Sequence, residues 1–382
     1  MGPLSGLQIV ELAGIGPGPF CGALLADLGA DVLRIDRTTP AQLGLPLEPR
    51  FDPLSRGRSS VCVDLKQPGA AAFVLQLIAK ADGLIEGFRP GVMERLGLGP
   101  EPCLAANPRL VYGRITGWGQ DGPMANEVGH DINYIALSGA LAAIGPANHK
   151  PIPPLNLVGD YGGGGMFLAF GMLAALLEAT RSGQGQVVDA AMSEGAAYLT
   201  MPLFGWRGAG LWNAPRGENL LDGGAPWYDT YQTKDGRWVS IGAIEGKFYA
   251  QLLKALDVDA TQLPDRDIRD NWPQIRERFS AIFSSRSRDE WCERFIGYEA
   301  CFAPVLEAHE LGTHPHHVAR EAFIDVGGLV QPAPAPRFSR TTAAAPRPAR
   351  SPGEGGVAAL ARWGIDAQQT QDLRDAGVIE LQ

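Results

Sequence analysis

The residues of this 382-residue chain best placed to move protons are one imidazole and two carboxylates. His130 sits in Gly129-His130-Asp131-Ile132-Asn133-Tyr134, at the expected start of a helix, where free backbone amides can bind a developing oxyanion. Thirty residues on, Asp160 precedes four glycines, Gly162 to Gly165, which are read as opening an apolar helix over 166–177. Residues without side chains there would let a ligand approach the backbone. A helix-capping role serves Asp160 equally well on sequence alone. Glu245 follows the strand-like WVSIGA, a setting that also suits a solvated surface glutamate.

Cationic groups form a second set. Arg37, the Arg56/Arg58 pair ahead of Lys66, and Arg89 with Arg95 fall near predicted strand ends, where α/β sheets commonly hold phosphates. Two other patterns fall away on inspection. Glycines at 14, 16 and 18 follow a strand and precede a helix, with Asp36 ending the next strand, as in a dinucleotide site. The third glycine comes one residue too early, and Pro17 and Pro19 remove amide donors that a pyrophosphate needs. His309, His314, His316 and His317 crowd together, but Pro315 breaks any helical ligand spacing and no carboxylate pattern accompanies them, so no metal is expected.

The elements that must position these groups read as α/β. A strand at 7–12, a Gly/Pro loop at 13–19, a helix at 20–28 and a strand at 31–35 make a βαβ unit. Strands at 84–88 and 110–115 flank a helix over 70–81, which predicts a mainly parallel open sheet in the first 190 or so residues. Residues 205–225 turn irregular and rich in Gly, Trp and Asn. A hairpin over 228–243 with an Asp235-Gly236 turn then opens a second unit. The expected division is a large domain at 1–205 completed by 325–382, a crossing linker at 206–225, and a small α+β domain at 226–324. PAPAPRFSR at 332–340 must be extended, and 343–352 reads as a loose linker.

Composition bounds the partners. With 33 basic and 42 acidic residues the net charge is −9, which argues against general affinity for nucleic acid or anionic membrane. Any anionic ligand must meet a local basic patch. Five cysteines in no Cys-x-x-Cys pair make a poor disulfide framework and are read as reduced thiols. The apolar stretch 166–177 is shorter than the roughly 20 residues a bilayer requires. Neither end carries a recognised address, so the expectation is a cytoplasmic protein with no membrane or nucleic-acid partner.

Together, LSGLQIVELAGIGPGPF, ADVLRIDR, VDLK, ADGLIEGFRPGVMERLGLGP, ITGWGQDGP, GHDINYIALSG, PLNLVGDYGGGG, GQGQVVDAAM and LDGGAPWYDTY resemble the family III coenzyme A transferases (CaiB/BaiF-like), and within them the alpha-methylacyl-CoA racemases. The resemblance runs from about residue 4 to 341. It implies a Rossmann-like large domain, a smaller domain and an interlocked homodimer acting in lipid metabolism. It also implies coenzyme A contacts at Arg37, Val63, Asp64, Leu65, Lys66, Gly87, Phe88, Arg89, Arg95, Gly129, Asp131, Ile132, Asn133 and Tyr134. His130 and Asp160 fall on the racemases' two catalytic positions, and Glu245 on a glutamate paired with that histidine across the dimer interface.

Racemisation removes the proton alpha to a thioester from one face and returns one to the other, which suits an acid/base pair on opposite sides. It needs no metal or redox cofactor, coenzyme A being part of the substrate. The alternative is a coenzyme A transferase in which Asp160 attacks the acyl-CoA as a nucleophile. Asp160 serves both readings, while His130 favours the racemase, since transferases of this family generally lack that imidazole. A non-catalytic acyl-CoA-binding module would be expected to have lost these groups.

Overall fold

The computed structural model describes residues 2–39, 44 and 47–381. They form two compact units. The first takes the chain up to Ser138, then Leu155–Leu199, and everything from Pro315 on; the second takes Gly139–Pro154 and Thr200–His314. These bounds differ from the sequence expectation. Segment 139–154 joins the second unit because Arg216 ties it down, donating to the carbonyls of Ala142 (3.1 Å) and His149. The second unit also begins earlier than expected, with the helix Met201–Gly208 that runs across the boundary expected between the large domain and the linker, and ends before the helix Pro315–Ala319.

The first unit is built on a seven-stranded sheet. Its strands are β1 (Gln8–Leu12), β2 (Asp31–Asp36), β3 (Ser59–Val63), β4 (Gly83–Glu86), β5 (Val111–Thr116), β6 (Gln186–Ala191) and the late β12 (Ile379–Glu380). The order is β12-β3-β2-β1-β4-β5-β6, with every pair parallel except β12 with β3. The parallel part therefore runs 3-2-1-4-5-6, the doubly wound order whose direction of winding reverses between β1 and β4.

Alternation along the strands divides the core in two. Val10, Leu12, Leu33, Ile35 and Leu84 face a layer formed by Phe73, Leu77, Leu360 and Trp363. Ile9, Val32, Ile85 and Val111 face Leu25, Leu168 and Met172 on the other side. Glu11 shares that second face with Ile9, and its fully buried carboxylate pairs with Arg58. The helix Pro17–Asp27 lies over this pair because Gly22 leaves room: a Cβ there would sit 2.1 Å from Glu11 Oε2. That helix starts three residues before the sequence reading, since Pro17 and Pro19 suit a first helical turn whose amides need no intrahelical partner. The segment 343–352 is irregular as expected but is not loose. Gly57 N–H donates to the Arg347 carbonyl (2.9 Å) and Gly353 N–H to Ser60 Oγ (2.8 Å), so it is pinned at its middle and just past its end.

The second unit carries β7 (Tyr228–Gln232), β8 (Trp238–Gly242) and β9 (Phe302–Pro304) in an antiparallel sheet, with the anticipated turn at Gly236 in the left-handed region. Helices Gly246–Leu256, Trp272–Phe283 and Arg288–Arg294 close over it around an aromatic core in which Tyr231 stacks on Phe283 at 5.1 Å. The remaining strands, β10 (Phe323–Val326) and β11 (Leu329–Pro332), form a separate hairpin in the first unit.

Candidate active site

The residues singled out for anion binding line the carboxyl ends of the parallel strands. Arg37 directly follows β2, Val63 ends β3 with Asp64, Leu65 and Lys66 behind it, and Gly87, Phe88 and Arg89 follow β4. Asp64 Oδ1 accepts from Lys66 N–H at 3.0 Å, closing the turn, and Leu65 tucks against the core. Glu86 Oε2 accepts from Phe88 N–H at 2.8 Å, and the Arg37 guanidinium lies 5.9 Å from the Phe88 ring centre. Lys66, Arg89 and Arg95 are exposed, Arg95 one turn further on in the short helix Val92–Arg95.

Arg56 and Arg58 leave this set. Arg56 is buried against Asp27 at 2.5 Å and Arg58 against Glu11, so neither is available to a ligand. Asp36 is likewise consumed, by Arg34 at 2.8 Å and by Ser60, which removes the acid a dinucleotide ribose would need. Among the described residues no His, Cys, Asp and Glu side chains group as metal ligands, the histidines at 309–317 included.

His130 and Asp160 lie near one another, with Asp160 beside the loop that follows β1, one of the two strands between which the winding reverses. His130 is the N-cap of the helix Asp131–Leu137, and its backbone N–H donates to Asn133 Oδ1 at 3.0 Å. Ile132 lies half-exposed on the first turn. Asp131, next to His130, is buried, and its Oδ1 accepts the backbone N–H of Asp160 at 2.7 Å. Gly159 permits this approach, since a Cβ there would lie 2.4 Å from Asp131 Oδ1. Asp160 Oδ2 in turn accepts from Asn156 Nδ2 at 3.1 Å and faces Gly16 of the loop after β1, whose Cβ position is 3.2 Å away.

Asp160 neither caps a helix nor precedes one. It lies inside a wide, π-type helix, Leu157–Met166, that runs without a break into Phe167–Ser182. Widened turns of this kind recur at functional sites. The glycines behind Asp160 also do something other than admit a ligand. A Cβ on Gly163 would sit 2.4 Å from Ala196 N, on Gly164 2.8 Å from Met192 Cγ, and on Gly165 2.7 Å from the Pro17 carbonyl. They let the wide helix pack directly on the helix Met192–Leu199 and on the first turn of the helix Pro17–Asp27.

The combined helical stretch is 26 residues, so the sequence argument that it is too short to cross a membrane does not hold. It is instead a core element of the first unit: Leu168, Ala169, Met172, Ala175 and Ala179 are buried against the sheet.

The electrostatics favour a carboxyl that gives and takes protons. Burial raises the Asp160 carboxyl above its ordinary range and the Asp131 charge adds to this, while the Asn156 hydrogen bond and the nearby His130 oppose it. The imidazole Nδ1 lies 2.6 Å from the Gly129 carbonyl, an oxygen that can only accept, so the contact favours the ring form that carries its proton on Nδ1 and leaves Nε2 to act as the base.

Gly129, His130, Asp131, Tyr134 and Asp160 are thus gathered in one place, and Arg89 is close enough for its charge to act on the Tyr134 hydroxyl. Glu245 belongs to the other unit. It is exposed and forms the N-cap of Gly246–Leu256 in the second. Asn156 was missed by sequence reasoning. Its signal, a polar residue one helical turn before Asp160, is invisible when the helix is expected to begin at residue 166.

Comparison with known proteins accords with this architecture. The chain matches the family model of CoA-transferase family III over residues 4–356. It is 46% identical to the alpha-methylacyl-CoA racemase of Mus musculus over 380 residues, covering 99% of this chain and 97% of that one. With the Homo sapiens alpha-methylacyl-CoA racemase the identity is 44%, at 99% and 97% coverage. A crystal structure of a CAIB/BAIF family protein from Brucella suis superposes with a TM-score of 0.81 at 24% identity, covering 95% of this chain and 99% of that one, and so shares the fold. A doubly wound sheet, a separate smaller unit and family-wide similarity along nearly the whole chain lead to one assignment: the protein belongs to CoA-transferase family III.

Proposed function

We propose that this protein is an isomerase that interconverts the R and S forms of 2-methylacyl-CoA thioesters by 1,1-proton transfer through an enolate. The observation that carries the reading is the pairing of an imidazole bearing a free Nε2 with a carboxyl raised by burial, joined through the Asp131 to Asp160 hydrogen bond of 2.7 Å. In one direction His130 Nε2 takes the alpha proton, and the electron pair of the broken C–H bond passes into the thioester as an enolate. Protonated Asp160 then returns a proton to the opposite face. In the other direction the Asp160 carboxylate is the base and the imidazolium the acid. The free amides at the start of Asp131–Leu137 would take the enolate oxygen's charge. Coenzyme A would lie along the strand ends on Arg37, Val63 to Lys66, Gly87 to Arg89 and Arg95. The name shared by the mouse and human relatives supports this substrate class.

In this proposal the working enzyme is a homodimer in the cytoplasm, part of lipid metabolism, with Glu245 reaching the site from the partner subunit. It needs no cofactor beyond the coenzyme A carried by its substrate. The second reading, a coenzyme A transferase with Asp160 as nucleophile, has the family's name behind it. His130 argues for the racemase, because a transferase has no use for a base beside the nucleophile.

Proton NMR in deuterated water, on a single enantiomer of a 2-methylacyl-CoA with and without a free carboxylic acid, decides between them. Deuterium at the alpha carbon with loss of optical purity, independent of the acid, is expected, and His130→Ala should slow exchange about a hundredfold. Retained configuration with coenzyme A moving to the added acid would make the chain a transferase.

A further inference from the structure

The peptide unit joining Gly129 to His130 is held at both ends by the helix it precedes. Its carbonyl oxygen accepts from the Tyr134 hydroxyl and from His130 Nδ1 at 2.6 Å, using both lone pairs, while its N–H donates to Asn133 Oδ1 at 3.0 Å. The Tyr134 ring cannot shift to release that carbonyl. It is 8% exposed, stands edge-on to Trp118 at 4.8 Å, and fills the space left by two glycines: a Cβ on Gly117 would lie 2.0 Å from Tyr134 Cε1, and one on Gly129 2.8 Å from it. So deeply enclosed a ring offers little surface to coenzyme A, the role its position in the family motif implies.

We propose that Tyr134 is a positioning residue for His130: by holding the Gly129 carbonyl in place, its hydroxyl fixes the imidazole tautomer and aims the free Nε2 at the alpha proton. Burial pushes the phenol up to about 12, so it remains a donor throughout the working range. The inference rests on the acid/base role proposed for His130.

Tyr134→Phe removes the hydroxyl and keeps the ring, and Asn133→Ala loosens the other end of the same peptide from an exposed position. Nitrogen-15 NMR of the imidazole at alkaline pH should show wild type as the Nδ1–H tautomer and Tyr134→Phe as a mixture of both. In kinetics, kcat for alpha-proton exchange should fall about tenfold in Tyr134→Phe, as a small misplacement of a reacting group does, with KM little changed. Asn133→Ala should move both readings in the same direction, and it supplies the answer if Tyr134→Phe does not fold. A pure Nδ1–H tautomer with wild-type kcat in the variants, or a raised KM with kcat untouched, overturns the proposal, the latter making Tyr134 a coenzyme A contact. If wild type exchanges no proton, the racemase reading fails, and the tautomer measurement still judges the role of Tyr134.

Discussion

Asp131 Oδ1 and the backbone N–H of Asp160 are joined at 2.7 Å across 29 residues of sequence. Because Asp131 directly follows His130, this one hydrogen bond sets how the wide helix carrying Asp160 meets the helix carrying the imidazole. Asp131 is buried, and Gly159 leaves the gap the bond needs. Two substitutions separate its geometric role from its charge. Asp131→Asn keeps an acceptor oxygen but removes the negative charge that raises Asp160. The acid limb of the kcat pH profile should therefore move to lower pH with the rate on the plateau largely kept. Asp131→Ala loses the bracket as well, and kcat should fall by a factor on the order of ten to a hundred. Wild-type exchange in Asp131→Ala would show that the bracket does not position the pair.

Asn156 acts on the same carboxyl with the opposite sign. Its amide donates to Asp160 Oδ2 at 3.1 Å and favours the ionised form. In Asn156→Ala the carboxyl should rise further, shifting the acid limb to higher pH and lowering kcat at pH 7 by about three- to tenfold. A pH titration of kcat across this variant, Asp131→Asn and wild type should order the three limbs with wild type between. Any other order would mean that these neighbours do not control Asp160.

Burial of Asp160 has a consequence for stability whose sign is fixed. A carboxyl raised in the folded state costs nothing below its unfolded value of about 3.9, where it is neutral in both states, and destabilises the fold as pH rises through its folded value. Asp160→Asn removes that charge. Its melting temperature should equal that of wild type near pH 3.5 and exceed it at pH 7 by about 1–2 °C, the scale of a modest gain in a chain of this size. Calorimetry at the two pH values checks this, and a variant that melts lower than wild type at pH 7 would show that Asp160 is stabilised as an anion.

How legible all this was varied by residue. The strands 7–12, 31–35, 84–88 and 110–115 were readable because a parallel strand buried on both faces is a short run of branched apolar residues bounded by turns. His130 at a helix start was readable from its neighbours. The wide helix was not: four consecutive glycines were read as the lead-in to a helix starting at 166, and only Ala196 N, Met192 Cγ and the Pro17 carbonyl pressing on them show why the helix already runs through them. With its start hidden, Asn156 and Asp160 could not be seen as neighbours on one turn. Arg58 looked like a ligand for an anion because nothing local reveals that Glu11, 47 residues away, takes its charge.

The glycines make the last prediction, which links packing to chemistry. Gly163 meets the backbone of Gly195 and Ala196, with its Cβ position 2.4 Å from Ala196 N, so a methyl group there cannot be relieved by a side-chain rotation. Gly163→Ala should destabilise the chain by about 1–3 kcal/mol through overpacking. It should also lower kcat, because Asp160 lies on the preceding turn of the same helix and must move with it. Gly205→Ala is the control: it lies in the helix Met201–Gly208 with nothing within 4 Å of its Cβ position, and alanine there should leave stability unchanged or raise it by about 0.5–1 kcal/mol. Thermal melts and exchange rates of the two variants give the answer together. A Gly163→Ala protein with normal stability and normal kcat would mean that the wide helix can shift away from Met192–Leu199 without carrying the carboxylate with it.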